Sequence, residues 1–153
     1  MKIIHTSDWH LGARICERER GREQEQFLQW LVSLVQEEKA DLLVMSGDVF
    51  DTGSPPHSAV RLYYNFLHSM TKSDCKNVII TGGNHDSPSY LEAPAALLEA
   101  FSIHVVGGFD PDAAPPLIIP RDENDTPLAV VAAVPFLRER AVRIPRAGED
   151  WRD

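Results

Sequence analysis

The segment at 41–45 passes through four successive apolar residues, Leu42, Leu43, Val44 and Met45, and this run constrains the fold more than any other stretch. A strand that is apolar at every position has no face to give to water, so it belongs inside a sheet that is covered on both sides. Its neighbours agree with that placement. A short strand at 2–6 precedes a segment at about 23–38 in which Phe27, Trp30, Leu31, Leu34 and Val35 stand at spacings of 0, 3, 4, 7 and 8. That spacing predicts one apolar face of a helix. Pro55-Pro56 opens a second helix at about 57–70, and a third is expected at about 89–100, with Pro94 able to limit or kink it. Further strands fall at 78–81 and 103–106. The alternation of strand and helix predicts an α/β fold, mostly a parallel sheet with flanking helices. Segments 117–119 and 128–134 then predict two more strands, joined as a hairpin across the turn-rich residues 121–127.

Each of the first three strands ends in residues that bind metals. Asp8-Trp9-His10 follows the first, Gly47-Asp48-Val49-Phe50-Asp51 the second, and Gly83-Asn84-His85-Asp86 the third. Taken singly, each cluster is common in ordinary turns and helix caps. Their conjunction at the carboxyl ends of consecutive strands, where open α/β sheets place ligands, points to a site. Two carboxylates, an imidazole and an amide oxygen suit a pair of divalent cations clamping a phosphate. Asp48 is the expected bridge between the two ions, in a turn that Gly47 allows to bend sharply. Asp8 and His10, two apart in an extended segment, are expected to point the same way and grip one ion. Asn84 is expected to reach the other.

In their fuller wording, His5-Thr6-Ser7-Asp8-Trp9-His10-Leu11-Gly12, Ser46-Gly47-Asp48-Val49-Phe50-Asp51 and Gly83-Asn84-His85-Asp86 resemble the first three motifs of the calcineurin-like metallophosphoesterases, and within them the SbcD branch. The resemblance covers residues 2 to about 138. It implies the first half of that family's sheet sandwich, with metal ligands at Asp8, His10, Asp48 and Asn84. It also implies a catalytic histidine at His85, oriented by a hydrogen bond from its ring to Asp86. By the same resemblance the activity is phosphodiester hydrolysis by a DNA nuclease in end and hairpin processing, repair and recombination. Its metals are Mn²⁺ first, with Fe²⁺ or Zn²⁺ as alternatives, and its partner is an SMC-like ATPase of the SbcC type.

The family completes its site with later histidines, including a Gly-His-x-His motif, and none stands in these 153 residues. His5, His57, His68 and His104 are expected to be strand or helix residues away from the site. Asp8, His10, Asp48 and Asn84 supply five metal bonds if Asp48 bridges, against roughly eight or more for two ions. Residues 1–138 are therefore expected to be the amino-terminal part of a nuclease domain, with its carboxyl-terminal part and a capping domain absent, and to have little activity alone. Residues 139–153 are expected to be an Arg-rich loop or disordered end.

The net charge of −8 opposes a nucleic-acid partner only weakly, because two divalent ions would contribute +4 where the phosphate sits. Arg138, Arg140, Arg143 and Arg146 face only Glu139 in their stretch, and could touch a phosphate backbone. Arg14, Arg18, Arg20 and Arg22 alternate with Glu17, Glu19, Glu23 and Glu25, which suits an exposed loop and helix start. Cys16 and Cys75 show no metal-like or paired spacing and predict reduced thiols in a cytoplasmic protein. No apolar run approaches the roughly 20 residues of a membrane span. The segment at 57–70 carries apolar residues on most sides, including Leu62 and Phe66, so a second buried face is expected. By the resemblance, that face joins two subunits through helices at about 57–70 and 89–100. A small-molecule phosphodiesterase and a non-catalytic dimerisation fragment are the alternative functions.

Overall fold

A computed structural model describes residues 1–114 and 116–142. The chain runs β1 (Ile3–Thr6), β2 (Arg14–Ile15), β3 (Arg18–Glu19), α1 (Gly21–Glu37), β4 (Leu42–Ser46), α2 (His57–Thr71) and β5 (Asn77–Thr81). It continues through α3 (Pro88–Glu92), α4 (Ala95–Glu99), β6 (Ile103–Val106), β7 (Leu117–Ile118), β8 (Val131–Ala132) and α5 (Glu139–Val142). The main sheet is parallel in the order β1-β4-β5-β6. Thr6 pairs with Met45, Ser46 with Thr81, and Thr81 with Val106, so the carboxyl ends of all four strands lie level. Every loop that leaves this edge starts from the same plane.

The apolar run of β4 is covered on both sides, because alternate residues of a strand face opposite ways. Leu43 and Met45 join Val78, Ile80 and Ile103 in a core roofed by α1 and α2. Leu42 and Val44 turn to the other side, with Ile79, and there meet Ile118, Val131 and Ala133. That second cover is the antiparallel pair β7-β8, with Leu117 opposite Ala132. The hairpin expected across 121–127 is therefore present, with shorter strands than the sequence pattern suggests. A helical layer, a parallel sheet and a second small sheet make the predicted sandwich half.

Three expectations about helices need correction. The inner line of α1 is Gln24, Leu28, Leu31 and Val35, with Phe27 and Leu34 at its flank. Trp30 is 56 % exposed. At about 100° per residue it lies roughly 130° from that line, where it rests on Phe27 with ring centroids 5.9 Å apart. In α2 the buried residues are Ala59, Tyr63, Phe66, Leu67 and Met70, while Arg61, Tyr64, Asn65 and His68 are exposed. Phe66 packs edge-on against Trp9, at 4.9 Å between centroids, inside the chain's own core. It is not available to a second subunit, because the roof over the sheet already uses it. The third helix is two short ones, divided at Ala93-Pro94 because proline lacks the N–H that would continue the ladder. Leu97 stands exposed on the second.

The Arg/Glu stretch holds a small hairpin that its composition does not announce. Cys16 and Glu17 both have positive φ, 48° and 63°, which makes a two-residue turn of the twisted kind that links antiparallel strands. Cys16 is an exposed free thiol and Cys75 a buried one, whose pKa burial pushes up. Among the described residues no helix is long and apolar enough to cross a membrane.

Candidate metal centre

The loops after β1, β4 and β5 are stitched together by backbone hydrogen bonds that extend the parallel ladder past the strands. Asp8 N–H donates to the Gly47 carbonyl, His10 N–H to Asp48, and Leu11 N–H to Val49, each at 3.0 Å. Gly47 N–H donates to Thr81 at 3.1 Å. The segment Asp8–His10 is not extended as expected. Asp8 and His10 have φ of 55° and 44°, and Asp48 has 56°. Left-handed backbone costs a non-glycine residue about 1–2 kcal/mol, less for aspartate, and such strain gathers at functional sites. Here it turns three potential ligands into one cleft.

One ligand atom each from Asp8, His10 and Asp48 lie within 4.8 Å of one another. His10 Nε2 is 3.9 Å from Asp8 Oδ1 and 3.8 Å from Asp48 Oδ2. Asp48 is buried, and its Oδ1 accepts the His85 backbone N–H at 2.9 Å, which fixes the carboxylate between two loops. Asp51, Asp48's companion in the same motif, makes a second group with His10 and His85. Its Oδ1 is 3.3 Å from His10 Nδ1, a buried nitrogen that makes no hydrogen bond. Two carboxylates beside Nε2 fit a divalent cation, and a ring that binds through Nε2 leaves Nδ1 to face the Asp51 carboxylate. Asp51 is not among the site residues expected from the sequence. The signal that could have found it is its place in the Gly-Asp-Val-Phe-Asp run.

The His85 ring is held differently from the expectation. Its Nδ1 lies 2.7 Å from the Asp51 carbonyl, which can only accept, so Nδ1 carries the proton and Nε2 faces away from that contact. This bond, with the charges of Asp48, Asp51 and Asp86 nearby, raises the His85 pKa above the ordinary imidazole value. Asp86 does not take the ring's hydrogen bond. It is 1 % exposed, and its oxygens accept Gly83 N–H at 2.8 Å, Val49 N–H at 3.1 Å and Phe50 N–H at 2.9 Å. Three backbone donors occupy it because the two ligand loops approach too closely for water to satisfy them.

That close approach depends on glycine. A Cβ on Gly83 would overlap the Asp48 backbone nitrogen and its carboxylate, and one on Gly47, at φ 81°, would stand 3.1 Å from Gly83 Cα. Gly83→Ala is expected to cost about 1–3 kcal/mol of stability and to displace Asp48. Thermal unfolding beside a Mn²⁺ titration checks both effects; an unchanged melting temperature and unchanged metal affinity would contradict the packing described.

Asn84 is exposed and lines an open cavity of about 440 Å³ together with Asp8, Asp48, Thr81 and Phe136. A neighbouring cavity of about 850 Å³ is lined by His85, Ser54, Phe109, Phe136 and Arg138, among others. Arg138 Nη2 donates to the Asn84 and Asp86 carbonyls at 3.3 and 3.4 Å, which puts one cation of the Arg-rich stretch beside the cleft. Arg143 and Arg146 lie outside the described residues. His5 bonds Ser46, His104 approaches Glu99, His57 and His68 are exposed on α2, and none of the four joins either group.

Known proteins share this arrangement of sequence. The family model described as calcineurin-like phosphoesterase matches residues 1–136. The SbcD subunit of the nuclease SbcCD of Escherichia coli K12 is 38% identical over 148 residues, covering 97% of this chain and 36% of that protein. The protein of the same name from Bacillus subtilis is 39% identical over 107 residues, 70% of this chain and 27% of its own. The one from Rhodobacter capsulatus is 37% identical over 147 residues, 91% and 36% respectively. The chain spans about a third of the length of the first of these curated relatives.

Proposed function

This chain belongs to the calcineurin-like phosphoesterase family, and on that premise we propose that its cleft serves the hydrolysis of phosphodiester bonds in DNA. The observation that carries the reading is the convergence of Asp8, His10 and Asp48 at the level carboxyl ends of β1 and β4. In this reading Asp8 and His10 hold one ion, Asp48 is shared, and Asn84 serves the second. Residues 1–138 are the amino-terminal part of a nuclease domain, the Arg-rich stretch after them opens on α5 and not on the loop expected, and later histidines complete the ligand set. When bound, two divalent ions, Mn²⁺ before Fe²⁺ or Zn²⁺, supply charge neutralisation at the phosphate and an activated water. The protein's own share is positional and acid–base. Asp48 and Asp86 hold the loops in register, and the Asp51 carbonyl fixes the His85 ring. The raised pKa of His85 favours a proton on Nε2, ready for the oxygen that leaves the phosphorus. Arg138 offers a cation to the flanking backbone.

The partners proposed with this activity are DNA and an SMC-like ATPase of the SbcC type, in the cytoplasm, during end processing, repair and recombination. The relatives are themselves named as one subunit of the nuclease SbcCD, which supports the assembly. A homodimer through the helices at 57–70 and 89–100 is also proposed. With Phe66 used internally, its contacts fall to Leu62, Tyr64 and Leu97, the first half-buried and the others exposed.

Two measurements test the reading. In a protein containing the whole nuclease domain, Mn²⁺-dependent cleavage of linear and hairpin DNA should far exceed cleavage of a small aryl phosphodiester; the reverse preference would favour a small-molecule phosphodiesterase. The 153 residues alone are expected to bind about one Mn²⁺ well and to turn over DNA more than tenfold more slowly, because five bonds cannot satisfy two ions. Two tightly bound ions, counted by calorimetry, would overturn that assignment of ligands.

A further inference from the structure

We infer that Gln24 is a positioning residue for the His10 ligand, acting through the backbone of the loop that carries it. Gln24 stands on the inner line of α1, with Leu28, Leu31 and Val35, where packing alone would be served by an apolar side chain. Its amide is instead spent entirely on one loop. Nε2 donates to the His10 carbonyl at 2.7 Å, and Oε1 accepts the Gly12 N–H at 3.1 Å. A buried amide costs about 1–3 kcal/mol unless its groups are paired, and here each end has a partner. The loop so held turns left-handed on either side of Leu11, at a cost at His10, φ 44°, and freely at Gly12, φ 93°.

From its other side the loop is held by bonds to the loop after β4, from His10 N–H to Asp48, from Leu11 N–H to Val49 and from Asp51 N–H to the Leu11 carbonyl, and the His10 carbonyl also accepts the Ala13 N–H at 2.9 Å. Gln24 clamps it from the helix layer. His10 is the one imidazole in the group with Asp8 and Asp48, and its Nε2 is 3.8–3.9 Å from both carboxylates. Without Gln24 the loop loses its tie to the helix layer, and a left-handed histidine held by the ladder alone is freer to shift its ring away from both. Groups that orient a metal ligand from behind typically set 10–100-fold in metal affinity. The inference rests on the metal-centre reading above.

The test compares the parent chain with Gln24→Met, which fills the same space without hydrogen bonds, and with Gln24→Glu. The carboxylate still accepts from Gly12 but presents an acceptor to the His10 carbonyl. Mn²⁺ affinity is measured by calorimetry or electron paramagnetic resonance, apo melting temperature by circular dichroism, and the apo imidazole signals of His10 and His104 by NMR. The expected result is a dissociation constant about tenfold or more higher in both variants. The His10 signals should shift, those of His104 should stay in place, and both variants should remain folded. Parent-like affinity in either folded variant, or weaker binding with unmoved His10 signals, overturns the role of Gln24. A parent chain that takes up no Mn²⁺ overturns it too, and that outcome identifies the metal-centre reading as the one that failed.

Discussion

Asp48→Asn, made in a protein that contains the whole phosphoesterase domain, is expected to lower metal occupancy and hydrolysis together, each by about 10²-fold or more. The variant removes one negative charge from the ligand that both ions would share, and several kcal/mol of charge stabilisation corresponds to two or more decades. Asparagine is the informative choice because its carbonyl oxygen can still accept the His85 N–H, which Asp48 Oδ1 now accepts at 2.9 Å. The loop after β5 should therefore keep its place. Occupancy measured on protein freed of loosely bound metal, beside hydrolysis of linear DNA, checks the result. Full occupancy with lost activity would move Asp48 from metal binding to some other task.

His85→Ala is expected to separate the two quantities. Metal content should stay near the parent value while the rate falls by roughly 10²-fold or more, the scale of lost acid–base help. The geometry makes this a sharp test, because His85 also lies in a potential ligand group with His10 and Asp51. If its imidazole binds an ion instead, occupancy falls with the rate. The pH profile adds a second check. A proton donor works below its pKa, and the Asp51 carbonyl raises that of His85 before any ion is counted, so the parent should show an alkaline decline set by this ring. The variant should lose that limb. A variant that keeps the alkaline limb would overturn the donor role.

Much of this architecture was legible in the residues. The unbroken apolar run of β4 specifies a strand buried on both faces, and the structure supplies a separate cover for each, through Leu43 and Met45 on one side and Leu42 and Val44 on the other. The meeting of the three motifs at one edge follows from the sequence, since parallel strands deliver their carboxyl ends to the same side. Periodicity located α1 and α2 to within a few residues, but it did not choose their inner faces. Trp30 and Phe27 satisfy the same spacing, and only the position of the sheet beneath α1 decides which of them is covered.

By itself, then, the amino-acid sequence determined the type of most elements and the chemistry available at the ends of β1, β4 and β5, because periodicity and residue type are local properties. The tertiary structure alone decided the partners. Asp86 accepts from Val49 and Phe50, 36 or 37 residues away, and not from the adjacent His85 ring, because the loops after β4 and β5 press three backbone donors onto its carboxylate. Asp51 enters the cleft, Phe66 is withdrawn into the core, and Asp8 and His10 turn left-handed, each through contacts between segments far apart in the chain. Backbone sterics favour extended geometry at Asp8 and His10 in isolation; the ladder to Gly47 and Asp48 holds them otherwise.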